Sequence, residues 1–263
     1  MTVATQHAEA LETIARRFGL DGREVEPLTG GSRNHVYRLG RPPLAVAVRL
    51  AGAGDEQLGV CREAELIAQR AAAANGLAPR VLWSDPPAGL KVDEWVVGRA
   101  WSREEARRPE SIKRVARWLR SLHDLPPPTG LRAVDFCESL RRYCALLPSA
   151  QVPASLLAEA EGLRVQPGAM TTALCHHDLH HANILDTGET VVAVDWEYAG
   201  LGDPIMDLAG FAAYQQLDEA GERTLLAAYG EEAGVEPHRL DVARRLFEAV
   251  AQAWSGVLAT VGG

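Results

Sequence analysis

Residues 174–185, LCHHDLHHANIL, place four histidines, an aspartate and an asparagine beside an apolar run, and residues 191–204, VVAVDWEYAGLGDP, follow almost at once. Short apolar runs at 183–185 and 191–194 flank Asp186, Thr187 and Gly188, the pattern of a β-hairpin closing at Thr187 and Gly188. A chain that turns there returns to where it began, so the hairpin brings Asp178, Asn183 and Asp195 near one another. Two carboxylates and a carboxamide are hard oxygen donors. They suit Mg²⁺, which takes few protein ligands and completes its shell with water and substrate phosphates. Nucleotide chemistry is therefore the first expectation.

The rest of the chain must supply a frame for this hairpin. Residues 8–18 carry Leu11, Ile14, Ala15 and Phe18 at helical spacing, an amphipathic helix ended by Gly19 and Gly22. Runs at 25–28, 35–39 and 44–50 are β-rich and separated by turns, GGSRN and RPP among them. Residues 61–75, CREAELIAQRAAAAN, form a helix closing on Gly76, and 80–83 and 90–97 are two more strands across the DPPAG turn. From Ser102 onward the pattern is helical, at 111–122, 135–147 and 153–165, broken by prolines 126–128, Pro148 and Pro153, with helix resuming from about Asp207. The expected division is residues 1–95, a nucleotide-binding half, and 96–263, a helical half for catalysis and acceptor binding.

Composition narrows the function. The 263 residues are 47% hydrophobic with a net charge of -8, and the negative charge sits almost entirely beyond Trp95. Nucleic acid is excluded as the main partner, and a cationic ligand is favoured by the field of the second half. No run approaches the length of a membrane span, the first residues read as a polar, partly helical lead rather than a signal peptide, and a cytoplasmic location is expected. Cys61, Cys137, Cys144 and Cys175 show no paired spacing and read as reduced thiols.

HHDLHHAN at 176–183 resembles the HxDxxxxN catalytic loop, and VDWEYAGLGDP at 194–204 the metal-binding aspartate segment, of the aminoglycoside phosphotransferase and choline kinase families. The resemblance is dense over 174–209 and looser from 28 to 99. It implies an α+β, bilobal, protein-kinase-like fold, with a small antiparallel β-sheet lobe carrying one main helix and a larger, mainly helical lobe. By the same resemblance Asp178 is the catalytic base, His176 the positioning histidine, and Asn183 and Asp195 the magnesium ligands, with ATP as phosphoryl donor. His177, His180 and His181 are given no catalytic role, and 177 and 181 depart from the family's usual residues. TGGSRNHVYRL at 29–39 resembles the GGxxN loop that approaches nucleotide phosphates, through Gly30, Gly31, Ser32 and Asn34. Arg49 stands where the family has a phosphate-binding Lys or Arg. Its partner is Glu65, counted back from Ala78 and Pro79, with Glu63 left open because the two lie on different helix faces. Glu94, Trp95 and Val96 form the connection whose backbone meets adenine.

WEYAG after Asp195 is closer to the choline, ethanolamine and thiamine kinase-like branch. Quaternary ammonium groups are held by aromatic faces and nearby carboxylates. Trp196, Tyr198, Phe211, Tyr214 and Trp254, with Glu197 and Asp207, supply both types; most of these aromatics belong to the core, and Tyr214, Trp254 and Glu197 are the residues expected at the acceptor. The expected activity is phosphoryl transfer from ATP to a small, hydroxyl-bearing, cationic acceptor such as choline or ethanolamine, with thiamine and then an aminoglycoside behind, by a monomer or homodimer. Two other classes stand beside it. A zinc-dependent hydrolase could use the histidine cluster, although His7, His35, His123 and His238 fall in no ligand motif; stoichiometric zinc in purified protein separates that reading. A catalytically silent kinase-like module would bind ATP and turn over no acceptor.

Overall fold

The computed structural model describes residues 3–22, 24–28, 33–147, 153–164, 172–230 and 237–261. Its β-branched first third forms an antiparallel sheet. After α1 (Val3–Phe18) come β1 (Val25–Leu28), β2 (His35–Leu39), β3 (Val46–Leu50), the short α2 (Asp55–Leu58), α3 (Arg62–Ala73), β4 (Val81–Asp85) and β5 (Leu90–Glu94). The sheet order is β1-β2-β3-β5-β4, with Arg49 on β3 opposite Lys91 on β5. One face of α1, Leu11, Ile14 and Ala15, buries against Leu39, Val46, Val48, Leu50 and Val92, which the alternation of the strands turns to the same side. Gly76, at φ 72°, follows α3 as the sequence pattern requires of a helix-ending glycine.

The remainder is mainly helical. β6 (Arg99–Ala100), α4 (Arg103–Ala106), α5 (Pro109–His123), α6 (Phe136–Leu146) and α7 (Ala154–Arg164) precede β7 (Ala173–Cys175), a single 3₁₀ turn (His181–Asn183), β8 (Ile184–Asp186), β9 (Val191–Ala193) and β10 (Gly200–Gly202). The helices α8 (Ile205–Gln215), α9 (Glu219–Tyr229) and α10 (Pro237–Val261) end the chain. Local chemistry sets the helix starts: Pro109 occupies the first turn of α5, Ser102 and Glu105 form a reciprocal cap on α4, and the Asp135 carboxylate accepts from Cys137 and Glu138 N–H groups at α6. Fully buried Trp196, Phe211, Leu119 and Leu174 lie in the larger core, which also takes in Ala64, Ala68 and Ala72 of α3.

The expected hairpin is β8 paired with β9, Ile184 opposite Ala193 and Asp186 opposite Val191. Two pairings were not read from sequence. β7 pairs antiparallel with β10, Gly200 opposite Cys175, and β6 adds an edge to β8. Strands of two and three residues, one of them written Gly-Leu-Gly, carry no alternation long enough to signal themselves. No helix among the described residues is long and apolar enough to cross a membrane.

Candidate active site

The β7–β10 pair holds the start of the histidine-rich loop, and Asp207 in the first turn of α8 holds its bend. The Asp207 carboxylate accepts the backbone N–H of His176 at 2.9 Å and of His177 at 2.6 Å, while His123 Nε2 from the end of α5 lies 3.0 Å away. Burial works against this carboxylate, but the His123 hydrogen bond and the neighbouring imidazoles hold it well below the usual range. His177 sits at φ 64°, a conformation costly for a residue with a β-carbon, and its two-point anchorage to Asp207 and to the Tyr198 carbonyl at 3.2 Å keeps it there. Asp207, read from sequence as a carboxylate for the acceptor, is instead fully enclosed and occupied with the loop. Enclosed among these three donors, it is not among the residues that line the neighbouring cavity.

His176 is buried between Trp118 and Trp196. Its Nδ1 accepts the Asp178 N–H at 3.3 Å, which leaves the proton on Nε2 to be donated to the Val194 carbonyl at 3.0 Å. Burial pushes its pKa down to about 4, so the imidazole is neutral and joins the loop to the segment after β9 that carries Asp195.

Asp178, Asn183 and Asp195 line one cavity of about 1150 Å³. Asp178 Oδ1 accepts from Tyr214 Oη at 2.7 Å; Asn183 Nδ2 donates to the Asp178 carbonyl at 2.9 Å and lies 3.4 Å from Oδ2. With its amide nitrogen so committed, Asn183 directs its oxygen elsewhere. Burial, opposed by the Tyr214 hydroxyl and reinforced by Asp195 and Glu197, raises the Asp178 pKa well above the carboxylate range. Asp195 sits at φ 63°, and its Oδ1 is buried with no hydrogen-bond partner. Burial, then Glu197 and Glu65, push its pKa up to about 7. A buried carboxylate oxygen without a donor, in a cavity that the Asn183 carboxamide also lines, fits a hard divalent cation, the condition Mg²⁺ binding would satisfy.

Toward the sheet and α3, the cavity meets a buried ion network. Arg49 Nη1 pairs with Glu65 Oε2 at 2.8 Å, Lys91 Nζ with Glu65 Oε1 at 2.7 Å, and Arg62 Nη1 with Glu65 Oε2 at 3.1 Å. Burial opposes ionisation of Glu65, yet Lys91, Arg49 and Arg62 hold its pKa at about 2. Glu63 is exposed on the other face of α3, so the alternative left open by sequence closes on Glu65. Leu28, Val36, Ala47, Leu185 and Val194 give the cavity an apolar stretch of lining, and Glu94, Trp95 and Val96 line it too. The Glu94 side chain accepts from Arg80 Nε at 2.6 Å. Asn34 Nδ2 donates to Glu197 Oε2 at 2.8 Å. Gly30, Gly31 and Ser32 lie outside the described residues.

Tyr214 and Trp254 also line the cavity, with Tyr198, Phe136 and Phe247, and Trp254 Nε1 donates to Tyr198 Oη at 2.8 Å. Glu197, expected at the acceptor, faces the sheet: its Oε2 accepts from Arg33 at 2.6 Å, Asn34 at 2.8 Å and Arg62 at 3.0 Å. Trp196 and Phe211 are core residues. Sequence reading missed Arg33, Asp55, Arg62 and Lys91 as parts of the site, and gave Asp207 a different part from the one it has. Only Arg62 carried a local signal, standing three residues before Glu65 and so on the same helix face.

The chain is similar to known proteins along most of its length. The profile of the Phosphotransferase enzyme family matches residues 24–243. Probable choline kinase 2 of Arabidopsis thaliana is 25% identical over 250 residues, 87% of this chain and 70% of that protein. A LicA homolog of Metamycoplasma hominis is 35% identical over 83 residues, which are 32% of each chain. A choline/ethanolamine kinase family protein of Mesorhizobium loti has the same fold, with a TM-score of 0.77 at 27% identity over 98% of this chain and 87% of that one. The α+β, two-part, kinase-like architecture is thus shared along nearly the whole chain.

Proposed function

Because the chain belongs to the phosphotransferase enzyme family, we propose that it transfers the γ-phosphoryl group of ATP to a hydroxyl of a small cationic amino alcohol, choline or ethanolamine first. The convergence of Asp178, Asn183 and Asp195 in one cavity, with Arg49 lining it as well, carries this reading. Aromatic faces at Tyr198, Tyr214 and Trp254 supply the surface an ammonium group favours, and relatives named for choline and ethanolamine accord with it.

Magnesium, held by Asn183 and Asp195, would neutralise charge on the β- and γ-phosphates. The remaining work belongs to the chain. The apolar lining that includes Ala47 and Val194 orients the purine, and Arg49, fixed by Glu65, offers its guanidinium to the phosphates. Asp178 receives the acceptor's hydroxyl proton as the bond from that oxygen to phosphorus forms and the bond to the departing ADP oxygen breaks, with no enzyme-bound intermediate. Its raised pKa matches this task, since a carboxylate of higher basicity shares a proton more readily in the transition state. His176 stays neutral and keeps the loop in register.

The test is ADP release with Mg²⁺ and ATP against choline, ethanolamine, thiamine, aminoglycosides and sugars. One acceptor is expected to stimulate release, and Asp178→Asn is expected to lower kcat by about 10²- to 10⁴-fold with nucleotide binding intact. Absence of acceptor-dependent release with nucleotide bound leaves a silent binding module, and an Asp178→Asn enzyme within tenfold of the parent removes Asp178 as base.

A further inference from the structure

Between β3 and α3 lies a short connection, residues 51–61, gripped from two directions. From the helical half, four hydrogen bonds capture four consecutive carbonyls: Tyr143 Oη donates to Leu58 O at 2.7 Å, Arg132 Nη2 to Gly59 O at 2.7 Å, and Arg142 Nη1 to Gln57 O at 3.0 Å and Glu56 O at 3.3 Å. Leu58 is fully buried in the larger core. These carbonyls end α2, where unpaired acceptors and the helix dipole both favour cationic donors. From the sheet half, Asp55 at the start of α2 takes the fork of Arg62 on both oxygens, Nε at 2.7 Å and Nη2 at 2.8 Å, and also binds Arg33.

The geometry of Arg62 makes Asp55 matter at a distance. A guanidinium is planar, so two nitrogens bonded to one carboxylate leave the direction of the third with no freedom. That third nitrogen, Nη1, reaches both Glu65 at 3.1 Å and Glu197 at 3.0 Å. Glu65 is the carboxylate that orients Arg49, and Glu197 stands two residues beyond Asp195. Arg33 repeats the arrangement, bridging Asp55 and Glu197 and reaching the Gly52 and Ala53 carbonyls at 3.4 Å. Its seat requires glycine at 52, where a β-carbon would stand 2.4 Å from the Arg33 carbonyl oxygen.

We propose that Asp55 is a positioning residue for the nucleotide site, and that Tyr143, on the acceptor wall, positions it in turn through the carbonyls of α2. Residues 51–61 thereby join the wall formed by Tyr143, Arg142, Glu56 and Val60 to the cations that receive the phosphates. The inference rests on the kinase reading of the cavity. It assigns to this connection a coupling role: a change at Tyr143 is felt by the nucleotide, although α6 contributes no phosphate-binding residue.

Binding of Mg²⁺ with the non-hydrolysable nucleotide AMP-PNP, followed by calorimetry, tests this without an identified acceptor. Asp55→Asn removes the charge that holds Arg62, and Tyr143→Phe removes one hydroxyl while keeping the ring. Asp55 is one-third exposed, so its replacement opens no cavity. Melting temperature is followed alongside, since a purely structural role would lower it without changing the affinity of the folded protein. Asp55→Asn is expected to weaken nucleotide binding by about five- to thirtyfold, and Tyr143→Phe by about three- to tenfold, the range of coupling through a contiguous network. The double variant is expected to be no weaker than Asp55→Asn alone, because both changes act through one element. Affinities within twofold of the parent, or losses that multiply in the double variant, overturn the inference alone. A parent protein that binds no nucleotide overturns it together with the kinase reading.

Discussion

Each of the principal site residues works through a second residue that fixes it. Tyr214 donates to Asp178 Oδ1 and so keeps the carboxylate from turning about its own bond. Tyr214→Phe is expected to lower kcat about tenfold, equivalent to about 1.4 kcal/mol of transition-state stabilisation, with the affinity for Mg²⁺ and AMP-PNP unchanged. A loss of nucleotide affinity instead would place Tyr214 in the nucleotide site. His176 gives a prediction in pH. Its folded pKa of about 4 lies below the ordinary imidazole value of 6.5, so the unfolded chain binds the extra proton between those limits. The stability it contributes is complete above pH 6.5 and is lost as pH falls toward 4. The advantage of the parent protein over His176→Gln in urea denaturation should therefore shrink by about 3 kcal/mol across that window. A constant difference would mean that the imidazole is not held neutral by burial.

At the scale of elements, the histidine loop depends on Asp207, which ties the end of β7 to α8 and to His123 of α5. Asp207→Asn keeps the shape and replaces one acceptor oxygen by a donor facing another donor. Leaving buried donors unpaired costs about 1–3 kcal/mol each, so a loss of about 3 kcal/mol, or about 10 °C in melting temperature, is expected. Calorimetric scanning checks it, and a shift under 2 °C would show the loop to be held by its own hairpin. That hairpin is the part of the site most legible in sequence, because a turn and two flanking apolar runs are local signals. Asp207 was not legible in the same way. Its partners are 30 and 31 positions away, and the same Asp in an amphipathic pattern reads as a surface or ligand-facing carboxylate.

For the whole molecule, the two halves do not separate as cores. The sheet and α1 bury a small cluster of their own, whereas Leu58, Val60, Ala64, Ala68, Ala72 and Ala78 belong to the core of the helical half. We propose residues 1–95 and 96–263 as functional halves of one folding unit. Residues 1–95 expressed alone are expected to lack cooperative thermal unfolding, because α3 would expose its alanine face. A sharp transition in that fragment would show the sheet half to be an independent domain. Ligand response is also global. At a concentration of Mg²⁺ and AMP-PNP about 100-fold above the dissociation constant, stability should rise by about 2.7 kcal/mol, and melting temperature by about 5–10 °C. A chelator should remove most of that rise, and an undiminished shift would argue against Asn183 and Asp195 as metal ligands.

What the amino-acid sequence determined by itself is the local and the periodic: α1, the strands of the sheet, α3 with its glycine stop, the β8–β9 hairpin, and the order of Asp178, Asn183 and Asp195 around it. These follow from side-chain period and turn chemistry, which act within a few residues. Only the tertiary structure decided which carboxylate serves which purpose. Glu197 meets Arg62 across 135 positions and Arg33 across 164, turning it toward the sheet half, and Glu65 prevails over Glu63 because its face of α3 is buried against Arg49 and Lys91. Charges so far apart in the chain find each other only once packing has brought the two halves together, and no spacing along the chain encodes that meeting.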